Sequence, residues 1–239
     1  MVNVVEPRPG LLRQSLGVLA LVAAATLAVA LFTQISDQIH HQAFVPEEYF
    51  SYFSIQTSIA NMVVLTITGL HQLQSHMDSP ALVGVRHSLV AYAIVTGSVY
   101  NLLLRDLPPK PGGFVSDIAF PNEVIHVVIP AYLVLDWILS PHGAALPWRS
   151  MAWGLVYPIG WLGGTLVRGD LAGWYPYAFL NPSNPAGWSG VGAHVLGIAL
   201  FISALLAAGL MLNRLYCRLR STRAMSQSAA LPADFSSGL

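Results

Sequence analysis

The chain has 239 residues, 54% of them hydrophobic and only 9% charged, with a formal net charge of zero. Soluble domains carry about 25% charged residues, so this composition, with a mean hydropathy of +0.58, excludes an ordinary solvated globule. Without a basic tract interleaved with aromatics there is no footprint for nucleic acid, and the single cysteine, Cys217, excludes an intrachain disulfide and a cysteine-built metal cluster.

Six apolar stretches, roughly 11 to 33, 49 to 73, 82 to 104, 122 to 140, 148 to 167 and 191 to 213, are each long enough to cross a hydrocarbon core of about 30 Å as a helix. They predict an all-α fold: a polytopic membrane protein with six transmembrane helices over residues 1–220. The first stretch follows Arg8 and Arg13 and ends in Ala-Val-Ala, which also describes a secretory signal. Its apolar part, Ser15 to Phe32, outruns a signal core of about 7 to 15 residues, so it is read as a retained helix.

The second stretch opens with YFSYFSIQTSIAN, polar residues placed where lipid is expected. At three-and-four spacing Ser51, Ser54, Ser58, Asn61, Leu65 and Thr68 share one helix face, a stripe that must meet other helices or a wet cavity. For any one hydroxyl, bonding back to the carbonyl four residues earlier remains the plain alternative, and Gln56 and Asn61 can equally join helices. The third stretch ends with Tyr100 and Asn101, followed by a Pro- and Gly-rich loop at 105–121.

The fourth stretch, PNEVIHVVIPAYLVLDWIL, places His126 roughly five residues from its start, the depth expected for Ser54 in the second. A histidine beside a hydroxyl makes it a nucleophile by taking its proton, and Asn122 and Glu123, one turn earlier, are candidates to orient the imidazole. Pro130 removes the donor to the carbonyl of His126 and predicts a kink there. Packing by a buried histidine is the alternative. Asp136, deeper in this helix, is expected to pair with Arg86 or Arg149; if it faced a water path, a transport reading would open.

The fifth stretch holds a proline and four glycines in WGLVYPIGWLGG and leads into RGDLAGWYPYAFLNP. Trp174, Tyr175 and Tyr177 suit an interfacial aromatic belt; Arg168 and Asp170 are either a loop pair or a rim at which Arg168 binds a carboxylate or phosphate headgroup. After the sixth stretch, residues 221–239 are small and polar and are read as a disordered tail. With the N-terminus inside, eight of the eleven Lys and Arg residues fall on the inner side, leaving Arg105, Lys110 and Arg168 outside. That asymmetry predicts both termini in the cytoplasm and a multi-pass protein of the cell membrane.

Three segments, YFSIQTS, NEVIHVVIPAYLVLDW and RGDLAGWYPYAFLNP, together resemble a family of six-helix integral membrane proteins that includes the androgen-induced membrane hydrolases and many bacterial members of undefined activity. The likeness spans roughly residues 45 to 185 and is nearer the bacterial branch. In the mammalian members an intramembrane threonine and a histidine hydrolyse fatty acid esters of hydroxy fatty acids. By motif the resemblance puts the nucleophile at Ser54 and the histidine at His126, with Ser in place of the family's Thr and Ser58 where Asn is common.

The expectation is a membrane-embedded hydrolase of a lipid ester, with Ser54 as nucleophile, His126 as base, and Gln56, Asn61, Tyr100 and Asn101 as candidate oxyanion donors. It calls for no cofactor and no nucleic acid, only a lipid or lipid-like ester. The rivals are a non-catalytic lipid-binding or assembly protein and, third, a haem or metal protein using His126 and His194. The histidines at 71, 76, 87 and 142 fall on three different segments without tight ligand spacing and read as solvated or interfacial.

Overall fold

A computed structural model of the chain describes residues 10–106, 114–140 and 145–229, with residues 223–229 by backbone only. Arg8, Lys110, His142 and residues 107–113 of the Pro- and Gly-rich loop lie outside the described residues, as does 230–239, and of Arg223 only the backbone is described.

The described residues are helical, without strands. In chain order come α1 (Leu11–His40), the short α2 (Pro46–Tyr49), α3 (Phe53–Leu73), α4 (Pro80–Val99), α5 (Phe120–Glu123), α6 (Ile129–Leu139), α7 (Arg149–Ala172) and α8 (Gly187–Ala229). A π-helical turn, Tyr100–Leu104, extends α4, and a second, Val124–Val128, fuses α5 and α6 into one rod.

Five helices are long and apolar enough to cross a membrane: Leu11–His40, Phe53–Leu73, Pro80–Leu104, Phe120–Leu139 and Gly187–Thr222. They correspond to five of the six expected spans and are compatible with a multi-pass membrane protein. At 24 residues α7 is also long enough, but its glycines and Pro158 leave it less apolar than the five. The last helix runs to Ala229, past the expected boundary at 220 and into the segment read as a tail.

Small residues bring α1 and α3 together. Gly17 and Gly69 face each other so closely that a Cβ on either would lie 2.9 Å from the other's carbonyl oxygen, the close approach that glycine permits between membrane helices. Above that crossing, Ala20, Ala23, Ala24, Leu27 and Ala30 of α1 form one buried face against Leu65, Val124, Ile125 and Ile129. Of the stripe expected on α3, Ser54, Ser58, Asn61, Leu65 and Thr68 are all buried, whereas Ser51 is half-buried and precedes the helix, which starts at Phe53.

At the far end of α3 a charged network ties four segments together. Arg86 donates to Asp78 at 2.5 Å and to Asp136 at 2.8 Å; His71 meets Asp78 at 3.0 Å and Ser140 donates to Asp136 at 2.8 Å. Of the two partners expected for Asp136, the structure selects Arg86. Asp136 is thus a buried, paired carboxylate, satisfied as such groups must be.

Candidate active site

Ser54 is the second residue of α3, not five residues inside it, because the helix begins only at Phe53. This position decides what its hydroxyl can do. Thr57, one turn on, bonds back to the carbonyl of Phe53 at 2.8 Å, the ordinary habit of hydroxyls in helices. The carbonyl four residues before Ser54 belongs to Phe50, which lies outside the helix and accepts from Gln56 Nε2 at 2.7 Å. The Ser54 side chain is therefore not drawn back onto its own helix. Its backbone N–H, one of the unpaired donors of a helix's first turn, points at the Tyr177 hydroxyl across 3.5 Å.

The third sequence motif explains why Tyr177 arrives there. Gly173 closes α7 in the left-handed conformation, φ +67°, with its N–H on the carbonyl of Gly169, a glycine C-cap. Tyr175 then folds back over Gly169, where any Cβ would sit 2.0 Å from its ring. Two residues later Tyr177 is carried over α3, edge-on to Tyr52 and close to Trp161. Burial pushes its phenol up to about 12, against the opposing effect of hydrogen bonds with Ser54, so near neutral pH it is a protonated donor.

His126 sits in the π-helical turn Val124–Val128. Its Nδ1 lies 3.1 Å from the backbone carbonyl of Asn122. A carbonyl only accepts, so Nδ1 carries the proton and Nε2 of the neutral ring keeps its lone pair. The ring stacks on Tyr100 from the other π-turn, centroids 4.0 Å apart and 13° from parallel. Pro130 cannot donate to the carbonyl of His126, and that carbonyl takes Asn101 Nδ2 at 3.2 Å. Close approach of the two rods depends on Gly97, whose Cβ would meet the same carbonyl at 2.7 Å. Single π-helical turns within α-helices are frequently found at functional sites.

Ser54 and His126, 72 positions apart in the chain, line one cavity of about 140 Å³ together with Tyr100, Trp161, Tyr177 and the apolar side chains of α4, α7 and α8. This is close to the volume of about 150 Å³ that holds a benzene ring in an engineered core. It has room for a small part of a lipid. Among the described residues no hydrogen bond joins Ser54 to His126.

The other candidates divide. Tyr100 lines the cavity. Asn101 is committed to the carbonyls of Gly97 and His126, and Asn61 to the carbonyl of Thr57 at 3.0 Å; neither lines the cavity, and buried Ser58 lies off it too. Gln56 faces a second cavity beside α7, where its Oε1 accepts from Tyr157 at 2.7 Å. The side chain of Glu123 pairs with Arg105 at 2.6 Å, so the imidazole is held by the Asn122 backbone and not by either neighbouring side chain. Arg168 lies in that second cavity with its guanidinium 4.6 Å over the Trp174 ring; it makes no ion pair with Asp170, which is exposed. Tyr177 was legible in the sequence only as a belt aromatic, and no local signal marked it as reaching Ser54.

His194 lines a different groove, with Ser98, Leu102 and Leu103, and does not line the cavity of His126, although Val99 and Ile198 border both. Among the described residues no group of three or more His, Cys, Asp or Glu side chains is placed to hold a metal ion. Comparison with protein-family models, curated proteins and solved structures finds no match to this chain.

Proposed function

We propose that this chain is a multi-pass membrane hydrolase that cleaves a lipid ester in the cavity beneath the start of α3, in the manner of the androgen-induced membrane hydrolases that its motifs resemble. In this reading α7 also crosses the membrane, as the fifth of six transmembrane helices in chain order, both termini face the cytoplasm, and the cavity opens at the outer boundary. The observation that carries it is the convergence of a hydroxyl in a helix's first turn and a histidine in a π-turn on one apolar cavity.

Ser54 Oγ attacks the acyl carbonyl while His126 Nε2 takes its proton. The negative charge on the carbonyl oxygen meets the positive end of α3 and the Tyr177 hydroxyl. As the tetrahedral intermediate collapses, His126 returns the proton to the leaving alcohol, and an acyl-Ser54 remains. Water, deprotonated by His126, attacks the acyl carbon, and the carboxylic acid leaves with Ser54 restored. The Nδ1 contact to Asn122 keeps the imidazole in the tautomer this needs, while the cavity's small size leaves most of the acyl chain in the bilayer.

The apolar lining and the lack of a Ser54–His126 hydrogen bond favour a second reading, a non-catalytic lipid-binding protein. Labelling of the purified protein by a fluorophosphonate separates the two. The hydrolase reading expects covalent labelling of the wild type that is lost in Ser54→Ala and reduced about 10²- to 10⁴-fold in rate in His126→Ala, the usual contribution of a general base. Labelling of Ser54→Ala at the wild-type rate would sink it.

A further inference from the structure

The second cavity, between the start of α3 and the outer half of α7, has a chemistry unlike the first. Ser51, Gln56 and Tyr157 line it with side chains whose donors are already bonded to the carbonyls of Glu47 and Phe50 and to Gln56 Oε1, Thr165 adds a hydroxyl, and Arg168 lines it with a guanidinium that no carboxylate approaches within ion-pair distance among the described residues. The Nη1 of Arg168 is buried with no hydrogen-bond partner. Arg168 as a whole is half-buried, but a shielded guanidinium nitrogen without an acceptor is unfavourable, and stacking on Trp174 satisfies the face of the group, not its N–H edge. An anion would supply the acceptor this edge lacks.

Room for it is built into α7. Gly160 and Gly164, one turn apart on the cavity wall, would have nothing within 4 Å of an added Cβ. The cavity sits level with the first turns of α3, where that candidate membrane span begins. At such a boundary the anion every phospholipid bilayer presents is the phosphate of its lipids.

We propose that this cavity is a phosphate-binding site for a lipid headgroup, with Arg168 as the charged ligand and the Gly160/Gly164 face as the space the phosphate occupies. The site stands on its own geometry and does not depend on ester hydrolysis. It shares only Trp161 with the Ser54 cavity, the indole lying on the lining of both.

The test uses the full chain purified in an uncharged maltoside detergent, with thermal unfolding followed on addition of dihexanoylphosphatidic acid, inorganic phosphate, or dihexanoylglycerol as the uncharged control. Phosphatidic acid is expected to raise Tm saturably. Its apparent Kd should weaken about tenfold or more in Arg168→Gln, through loss of a charge-assisted contact, and binding should vanish in Gly164→Leu, which fills the cavity. Gly160→Leu repeats the filling test from the neighbouring turn if Gly164→Leu does not fold. An equal response to inorganic phosphate, lost in the same variants, keeps the phosphate site and moves its source to solution. No response to either phosphate, or responses alike in wild type and variants, overturns the proposal.

Discussion

Ser54 and Tyr177 show how much one position in a helix can decide. A serine four residues further along α3 would find a helical carbonyl at hand, as Thr57 does; in the first turn it has none, and its backbone N–H is free to meet a phenol. If Tyr177 serves the oxyanion, Tyr177→Phe removes the donor but keeps the ring packing against Trp161 and Phe179. The expected result is a fall in kcat of about 10²-fold with KM little changed, measured on whichever ester the wild type turns over. Equal losses in kcat and thermal stability would make Tyr177 a packing residue.

Among the elements, the two π-turns stand or fall together. Gly97, Asn101, His126 and Pro130 form one joint: the proline vacates a carbonyl, the asparagine fills it, and the glycine lets the rods approach. Gly97→Val forces a methyl group into the His126 carbonyl and is expected to cost about 1–3 kcal/mol, as overpacking does, while displacing the imidazole. Asn101→Leu leaves that carbonyl without its partner at a cost of about 1–3 kcal/mol. Both are read from unfolding in detergent. Fluorophosphonate labelling that falls further than stability does would tie the joint to the chemistry.

For the whole molecule, the charged network around Arg86 holds the end of the bundle remote from the cavity. Arg86 is 5% exposed and bonds both Asp78 and Asp136, so Arg86→Ala strands two carboxylates and should cost about 3–5 kcal/mol, the typical penalty for breaking a buried pair. Replacing Arg86 and Asp136 together by apolar residues of similar volume should recover part of that loss. A double variant no more stable than the single one would mean that the network's hydrogen bonds, not its charge balance, hold these helices in place.

Much of this was legible in one dimension. Hydropathy located the helices because the hydrocarbon core imposes a length that any chain must meet with apolar residues. Three-and-four spacing identified the α3 stripe because helix geometry alone fixes which residues share a face. The backbone effect of Pro130 was likewise local, since a missing N–H is a property of the residue itself. Other features depended on contacts across the chain. That Asn101 fills the carbonyl Pro130 vacates, that Glu123 is taken by Arg105, that Asp136 prefers Arg86 to Arg149, and that Tyr177 reaches Ser54 are choices among partners far apart in sequence. Such choices are made by helix packing, here by the close approaches at Gly17, Gly69, Gly97 and Gly169, where the absence of a side chain leaves no periodic trace. The sequence by itself therefore determined the helices and the polar groups they carry, whereas only the tertiary structure decided which of those groups share a cavity.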